Sequence, residues 1–412
     1  MARERLPSWE PTANLRTPGF MEAAPVFQTQ EERLMVDAKS QRLRIGIPLE
    51  STWAENRVAL TPEGVHLLVA QGHEVVLESN AGTAARYSDR EYAEAGAEVT
   101  TDRRVVFGCP VLAKVEAPCE AEWPLMAQGQ VLFSTLQPGT LTPAFVDALK
   151  AKRITAFSYG SILDEEGRAP FVRSMAEIGG SQAITIAMEY LSTWSGGKGY
   201  AMGAVTGVPP TEIVILGAGT VGTTAARLAS ALGASVKVFD SSMTRLQRLR
   251  ERVGDVYTCT LQPQILSRAL SRCDVVIGAL RPVNGRTPVV VTEEMVAGMK
   301  PRSVVVDLSI DHGGCFETSE VTSWDAPVYT KFEVTHFAVP NIAARVARTA
   351  SFALNNLTSP LLRELADLGG VEEALHAKPH WRKGVYLYHG QVTSASVAQT
   401  LDQPFTDLDL LL

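Results

Sequence analysis

The sequence predicts an α/β protein with two doubly wound, mainly parallel sheets and a cleft between two domains. Two observations support this fold class. Short apolar runs alternate with helix-length amphipathic segments along most of the chain, an order typical of parallel sheets covered by helices. One apolar run, residues 213–216, leads into a Gly-x-Gly-x-x-Gly sequence and then a helical pattern. That succession predicts a dinucleotide-binding unit of the Rossmann type.

The length agrees with this division, because 412 residues correspond to roughly two or three domains. Residues 1–42 are polar, contain several prolines and lack the apolar core of a signal peptide, so we expect an N-terminal arm. We assign residues 43–174 together with 349–412 to a substrate (catalytic) domain, and residues 175–348 to an NAD-binding domain. Both domains are expected to be Rossmann-like.

The elements of the first domain follow from local signals. A strand is predicted at residues 43–48. Thr61 and Pro62 then open a helix, with Thr61 as its N-cap and Pro62 at the first helical position. Further strands are predicted at residues 74–78, 111–115, 131–134 and 154–159, with a helix at 89–95.

The second domain is expected to begin with a helix at residues 176–193, followed by a glycine-rich loop at 196–199. After the strand at 213–216, apolar runs predict strands at residues 236–239, 275–277 and 304–307. A strong helical pattern at residues 349–366 is expected to carry the chain back to the first domain. The second domain would then be inserted into the first.

Three glycines give the loop its expected function. Gly217 allows the tight turn, Gly219 lets the backbone approach a pyrophosphate, and Gly222 lets the helix pack closely on the strand. The first turn of the helix offers free N–H groups and positive potential to phosphates. The residues predicted to hold the pyrophosphate are Gly217, Gly219, Thr220, Val221 and Gly222.

Asp240 ends the next strand and predicts the choice of cofactor. A carboxylate at this position accepts hydrogen bonds from a ribose diol and repels a 2′-phosphate, which favours NAD over NADP. Arg245 is included in the predicted cofactor site, where it would weaken that preference. The alternative for Arg245 is a solvated helix face.

Composition argues against several classes of function. The formal net charge of −7 disfavours a nucleic-acid partner, and no apolar run approaches the roughly 20 residues that span a bilayer. The five cysteines have no Cys-x-x-Cys spacing and lie mostly beside apolar runs, which predicts buried free thiols in a reducing cytoplasm. The seven histidines show no metal-binding pattern, so we expect no metal.

Three segments, residues 55–62, 217–222 and 306–318, together resemble the alanine dehydrogenase/pyridine nucleotide transhydrogenase family, from about residue 43 to about residue 365. The resemblance implies two Rossmann-like domains around an active-site cleft. Residues 243–246 and 313–318 favour the dehydrogenase branch. That branch implies an oxidoreductase of amino-acid catabolism that acts on CH–NH2 donors, converting L-alanine reversibly to pyruvate and ammonia with NAD. Such enzymes are often homo-hexamers, so we expect a homo-oligomer.

The resemblance assigns the substrate site to three charged residues. Arg57 matches the family arginine that holds the substrate carboxylate, a role suited to a bidentate guanidinium; by itself it would be read as a surface residue. Lys114 interrupts an apolar strand, which is costly unless its amine reaches a polar site, and it matches a lysine that contacts substrate carboxylate or oxygen. Asp311 matches an aspartate near the nicotinamide and substrate, with loop capping as the alternative. Asp307 is expected to be structural.

Four further residues are assigned to the cofactor. Ala279 and Leu280 follow the predicted strand at 275–277 and should lie against the adenosine or ribose. Asn341 and Ile342 match a loop that touches the nicotinamide in the family.

Gln137 is the departure from the family, which carries a catalytic histidine at this place. Glutamine can orient a substrate but cannot exchange a proton near neutral pH. Three interpretations stay open: Gln137 orients the substrate while Asp311 or a water transfers protons, His312 or His336 has taken over, or the alanine dehydrogenase activity has been lost. Two other functions therefore remain as alternatives. One is a reductive aminase of opine or saccharopine type, and the other is an NAD(H)-binding subunit related to the soluble transhydrogenase subunit.

Overall fold

Two β-sheets organise the residues that the computed structural model describes, which are 40–52, 54–282 and 285–412. The predicted N-terminal arm lies outside the described residues, apart from residues 40–42. Both sheets are mainly parallel, and helices connect their strands. The predicted α/β fold class is therefore confirmed.

In the first part of the chain, strands and helices alternate as predicted, because apolar runs flanked by capping residues and glycines define each one. The elements are β1 (Arg44–Ile47), α1 (Pro62–Ala70), β2 (Glu74–Glu78), α2 (Asp89–Glu94), β3 (Glu98–Thr100), α3 (Arg103–Phe107), β4 (Val111–Glu116), β5 (Val131–Thr135), α4 (Pro143–Ala151) and β6 (Thr155–Ser158).

The middle of the chain forms the second sheet and its helices. The elements are α5 (Pro170–Leu191), β7 (Glu212–Leu216), α6 (Thr220–Ala231), β8 (Ser235–Asp240), α7 (Met243–Val253), β9 (Tyr257–Thr260), α8 (Pro263–Leu270), β10 (Val275–Gly278), α9 (Glu293–Ala297), β11 (Val304–Asp307), β12 (Val328–Lys331) and β13 (Val334–Phe337). Helix α5 begins six residues before the predicted helix start at 176, because Pro170 is suited to the first helical turn.

The last part of the chain returns to the first sheet. Its elements are α10 (Ala347–Asp367), α11 (Val371–Ala377), β14 (Val385–Tyr388), β15 (Gln391–Val392) and α12 (Ala395–Leu401). Leu354, Leu361 and Leu365 on α10 belong to the same buried cluster as Ile45 on β1. Their burial explains why the 3.6-residue apolar pattern predicted a helix here. The boundaries of the two predicted domains stay a prediction.

The strand order places a crevice at one edge of each sheet. Within the described residues, the first sheet has the order β15-β14-β6-β5-β4-β1-β2-β3 and the second β12-β13-β11-β10-β7-β8-β9. Strand β14 is antiparallel to both of its neighbours, and β12 is antiparallel to β13. β1 lies between β2 and β4, and β7 lies between β8 and β10, so connections leave each in opposite directions. Ligands bind beyond the carboxyl ends of strands at such switch points.

Two local predictions are wrong in part. Helix α1 begins at Pro62, but the Thr61 side chain does not cap it. The Thr61 hydroxyl is buried without a partner in the described residues, while its backbone N–H donates to Asn355 Oδ1 at 3.1 Å. A distant residue on α10 thus holds the backbone of Thr61 where the helix begins. Among the cysteines, those at 109, 273 and 315 are buried as predicted, but Cys119 is exposed in the loop after β4 and Cys259 is half-buried on β9.

Helices α5 and α10 are the longest that the structure describes, with 22 and 21 residues. Neither they nor any other described helix has both the length and the apolar character needed to cross a membrane.

Candidate active site

The first predicted site residue, Arg57, lies in the loop between β1 and α1. Helix α10 holds this loop, because Ser351 Oγ accepts a hydrogen bond from the Val58 N–H at 2.9 Å. Arg57 is buried beside Glu55, and its Nε donates to Glu55 Oε1 at 2.7 Å while Nη2 contacts Oε2. Burial alone would lower the pKa of Arg57, but Glu55 raises it above its usual value. The guanidinium therefore stays charged in an almost dry position.

The two carboxylate oxygens of Glu55 contact Nε and Nη2 of Arg57, and Nη1 points away from Glu55. Nη1 faces Met175 Sδ at 3.5 Å, on helix α5. A thioether is a weak acceptor, so a substrate carboxylate at Nη1 would gain a much stronger partner than the one present.

Lys114 lies on the same edge, near the end of β4. Its side chain is fully buried, and Nζ contacts Glu50 Oε2 at 2.6 Å and Glu122 Oε2 at 3.9 Å. Burial by itself lowers the pKa of Lys114, but the facing carboxylates, above all Glu50, raise it above its usual value. The amine is thus held as an ammonium, able to donate hydrogen bonds to an oxygen but not to act as a base.

Glu116 is two residues further along β4, at the end of an irregularity in the pairing of β4 with β5 that begins after Ala113. Its carboxylate lies 3.5 Å from Arg57 Nη2, and its side chain is 31% exposed. Burial and the neighbouring Glu55 raise the pKa of Glu116 to about 7, although Arg57 opposes the shift. An ionisable group that titrates near neutral pH therefore lies next to the guanidinium.

Asp311 comes from the second sheet, in a short 3-10 turn after β11. Its Oδ1 accepts a hydrogen bond from the Asn341 N–H at 2.9 Å, and Asn341 Nδ2 donates to Glu55 Oε2 at 2.8 Å. A continuous chain of polar contacts thus runs from Asp311 through Asn341 and Glu55 to Arg57. Asp311 remains accessible to solvent, yet the protein around it removes enough water to raise its pKa. The predicted Arg57, Asp311 and Asn341 are thereby brought together from two sheets.

Gln137 lies two residues after β5, whose Thr135 is paired with Glu116 across the sheet. It is half-buried, and its carbonyl accepts a hydrogen bond from the Thr140 N–H at 2.9 Å. The register of the two strands therefore brings Gln137 and Glu116 to the same edge, where Lys114 also lies.

One of the three interpretations assigns proton transfer to His312 or His336. His336 lies buried on strand β13 rather than in a loop. Its Nε2 is 3.0 Å from Thr318 Oγ1 and its Nδ1 is 3.0 Å from the Val334 carbonyl. Both ring nitrogens are occupied by structural contacts, and burial lowers the pKa of His336. His312 follows Asp311 in the 3-10 turn and is half-buried.

Asp307 has the structural role expected of it. Its carboxylate accepts hydrogen bonds from the N–H groups of Ser309 and Cys315, at 2.9 and 3.0 Å, and from Ser319 Oγ at 2.6 Å. These bonds close the loop that carries Asp311, so Asp307 positions it without reaching the cleft.

The glycine loop follows β7 at the switch point of the second sheet. Gly217 has φ +112°, and a Cβ added there would lie 2.3 Å from the Ala279 carbonyl. At Gly222 it would lie 1.8 Å from the Gly217 carbonyl. A Cβ added at Gly219, by contrast, would have only one neighbouring atom of the described residues within 4 Å, Arg281 Nε at 3.9 Å. The loop is therefore closed on its protein side and open where a pyrophosphate would lie, with a guanidinium beside it.

Asp240 accepts two backbone hydrogen bonds at the end of β8. It accepts hydrogen bonds from the N–H groups of Ala218 and Ser242, each at 2.7 Å. Arg245 Nη1 lies 3.8 Å from the same carboxylate, and its side chain is half exposed. A carboxylate has about four acceptor positions, and Asp240 therefore retains capacity for a ribose diol.

The remaining predicted cofactor residues surround this loop. Ala279 and Leu280 follow β10, and their N–H groups donate to the Leu216 carbonyl at 2.8 Å and to Ser309 Oγ at 3.0 Å. Thr220 and Val221 form the first turn of α6. Ile342 is half-buried and packs towards Gly179 on α5.

Sequence reasoning missed the carboxylates that hold the cations, namely Glu50, Glu55, Glu116 and Glu122, and it missed Arg281. Strand alternation from Lys114 does not assign Glu116, because the pairing of β4 with β5 is irregular between Ala113 and Glu116. No local signal identifies Glu50 as the partner of Lys114, because the two are 64 residues apart. Among the described residues, no group of three His, Cys, Asp or Glu side chains is placed to hold a metal ion.

Comparison with known proteins gives the same assignment across the chain. The model of the alanine dehydrogenase/PNT N-terminal domain matches residues 46–179, and that of the C-terminal domain matches residues 183–395. The resemblance thus extends past residue 365, and the predicted limit there is wrong. The last part of the matched region includes β14, a strand of the first sheet that the sequence analysis did not predict.

Two alanine dehydrogenases are similar to this chain over nearly their whole length. Alanine dehydrogenase of Methanococcus maripaludis is 38% identical over 371 residues, 89% of this chain and 99% of its own. Alanine dehydrogenase of Mycolicibacterium smegmatis is 39% identical over 368 residues, 88% of this chain and 98% of its own.

Two solved structures extend the comparison. One titled L-alanine dehydrogenase has a TM-score of 0.82 and 34% identity, covering 87% of this chain and 99% of its own. A transhydrogenase structure from Sinorhizobium meliloti has a TM-score of 0.74 and 25% identity, covering 86% and 99%. The predicted family is confirmed, and the chain belongs to the alanine dehydrogenase/PNT family.

Proposed function

We propose that this chain is an NAD-dependent amino-acid dehydrogenase that converts L-alanine reversibly to pyruvate and ammonia. The observation that carries the proposal is the contact chain Asp311–Asn341–Glu55–Arg57, which joins a carboxylate-binding guanidinium to the sheet that bears the glycine loop. An amino acid held at Arg57 would therefore lie at the edge that faces a dinucleotide. Similarity to proteins named alanine dehydrogenase supports the same substrate.

The residues around the glycine loop fit NAD. The space above Gly219 is open to a pyrophosphate, and the first turn of α6 offers N–H groups to it. Asp240 would accept hydrogen bonds from the ribose and disfavour a 2′-phosphate. When bound, NAD supplies the acceptor for the hydride that leaves Cα.

The proposed role of each substrate residue follows from its charge. Arg57 would bind the carboxylate through Nη1, because Nε is taken by Glu55 and Nη2 contacts both Glu55 and Glu116. Lys114 is fully buried with its ammonium on Glu50 and Glu122, so it would act on the substrate through the charge that it contributes and through Glu50. Gln137 would orient the amine or that oxygen without exchanging a proton. Asp311 would lie on the cofactor side of the substrate.

The test is NADH formation by the purified protein with NAD and an amino-acid panel that includes alanine, glycine, serine and lysine. We expect alanine to be turned over, and turnover to fall by about 100-fold or more in Lys114→Ala and in Asp311→Ala. Glu120→Gln, an exposed change in the loop after β4, is the matched control and should leave the rate unchanged.

A protein that binds NADH but oxidises no amino acid would contradict the proposal and favour the NAD(H)-binding alternative. The substitution at Gln137 is the observation that keeps this alternative open. Reductive amination of pyruvate by a larger amine, with no reaction towards ammonia, would instead favour the reductive aminase. A homo-oligomer and a cytoplasmic location remain predictions, to be checked by mass in solution and by fractionation.

A further inference from the structure

Oxidation of an amino acid begins with a proton that must leave the substrate. At neutral pH the amine is an ammonium, whereas loss of hydride from Cα requires a nitrogen lone pair to form the C=N bond. One side chain near the amine must therefore accept a proton first. Gln137 cannot accept it, Lys114 is held as an ammonium, and His336 has both ring nitrogens in structural contacts.

Glu116 occupies the place where such a group is needed. Its carboxylate is 3.5 Å from Arg57 Nη2, next to the Nη1 atom at which the substrate carboxylate would bind. The ammonium and carboxylate of an α-amino acid are attached to the same carbon, so an ammonium bound there lies within a few ångströms of Glu116. At 31% exposure the side chain is neither sealed in the core nor free in solvent.

The charges around Glu116 are balanced in a way that suits proton exchange. Glu50, Glu55 and Arg57 face Glu116 from the loop between β1 and α1, and Lys114 lies on the same strand as Glu116. Arg57 favours the ionised form, while burial, Glu55 and Glu50 favour the protonated form. The resulting pKa of about 7 allows both forms to be populated under physiological conditions.

We propose that Glu116 accepts the proton of the substrate ammonium and so takes over the proton transfer that Gln137 cannot perform. This inference rests on the proposed function. Ionised Glu116 removes one N–H proton and becomes a carboxylic acid, and the freed lone pair forms the C=N bond as the Cα hydride passes to NAD. In the reverse direction Glu116 returns the proton to the amine. Asp311, on the opposite sheet, then positions the substrate against the cofactor.

The experiment compares Glu116→Gln with Asp311→Asn and with the control Glu120→Gln, in alanine oxidation from pH 5.5 to 10. In the unmodified protein, kcat/KM should rise with pH through a pKa of about 7, that of Glu116 in the free enzyme, and kcat through a higher one, because the bound substrate carboxylate adds negative charge. Glu116→Gln should lower kcat by about 100-fold or more and abolish this rise. The KM for alanine should change by less than about threefold.

Further measurements separate a loss of chemistry from a loss of folding. Glu116→Gln should bind NADH as the unmodified protein does and should melt at the same or a higher temperature, and Glu116→Ala should recover part of its rate when formate is added. Asp311→Asn should lose rate yet keep the rise through the same pKa.

Three outcomes would overturn the inference. The inference fails if Glu116→Gln retains the rate and the pH profile, if it loses affinity for alanine at unchanged kcat, or if it keeps the profile while Asp311→Asn abolishes it. A protein that oxidises no amino acid before any substitution contradicts the proposed function itself, and with it this role for Glu116.

Discussion

At the scale of single residues, Arg57 is the centre of the site because two carboxylates of opposite behaviour contact it. Burial alone would raise the pKa of Glu55, but Arg57 overrides it and lowers the pKa below its usual value. Glu116, in contact with one guanidinium nitrogen and close to Glu55, has its pKa raised instead. Glu55 thus acts as a permanent counter-ion, and Glu116 is the group that titrates.

We expect Glu55→Gln to be destabilising, because it leaves the buried Arg57 charge without its main partner. Loss of one member of a buried pair typically costs about 3–5 kcal/mol of unfolding free energy. The matched control is Glu94→Gln, which removes one member of the exposed Arg90–Glu94 pair and should cost less than about 1 kcal/mol. Urea unfolding of the two variants measures the difference, and equal costs would show that Arg57 is solvated.

The raised pKa of Glu116 also predicts how stability depends on pH. Its pKa rises from 4.5 to about 7 on folding, so between these values the folded chain binds more protons than the unfolded chain. The free energy of unfolding should then fall as pH rises from 4.5 to 7, by up to about 3 kcal/mol from this group. Glu116→Gln should flatten the dependence in urea unfolding at pH 5, 6, 7 and 8. An unchanged slope would contradict the prediction.

At the scale of elements, the glycine loop and helix α6 show why three glycines were recognisable in the sequence. Each is required by a contact within one strand–loop–helix unit, and such contacts depend on residues close in the chain. Helix packing adds a glycine that the motif does not contain. A Cβ at Gly180 on α5 would lie 2.4 Å from the Val221 carbonyl, so this residue sets the approach of α5 to α6.

Gly222→Ala should therefore weaken NADH binding and destabilise the second sheet. The added methyl would be 1.8 Å from the Gly217 carbonyl, and the loop must move to relieve the clash. We expect the Kd for NADH, measured by fluorescence titration, to rise at least about tenfold. Gly298→Ala is the control, since its nearest neighbour is 3.6 Å away at the end of α9. Equal affinity in both variants would contradict the role of Gly222.

At the scale of the whole folded unit, Asn341 links the sheets. Its backbone N–H donates to Asp311 and its side chain to Glu55, while its φ of +54° places it in the left-handed region that asparagine tolerates better than most residues. The two contacts connect the carboxyl edges of both sheets through one residue.

Asn341→Ala should separate these edges while leaving each sheet intact. We expect kcat/KM for alanine to fall about tenfold or more, because the hydride donor and acceptor lose their relative position. Stability should fall by less than about 3 kcal/mol, the cost of one lost buried hydrogen bond and a strained φ. Steady-state kinetics and urea unfolding measure the two effects, and a large loss of stability with normal kcat/KM would contradict this division.

The sequence by itself determined many of the strands, the long helices α5 and α10, the glycine loop and the family, because these depend on neighbouring residues or on motifs that persist in order along the chain. Asp240, Arg57, Lys114 and Asp311 stay predictions for the site. Tertiary structure alone decided what surrounds them. Glu55 and Asn341 are 286 residues apart and Thr61 and Asn355 are 294 apart, so no local pattern records their contacts. The charge states of the site follow from such distant partners and from burial, and both exist only once the sheets have folded.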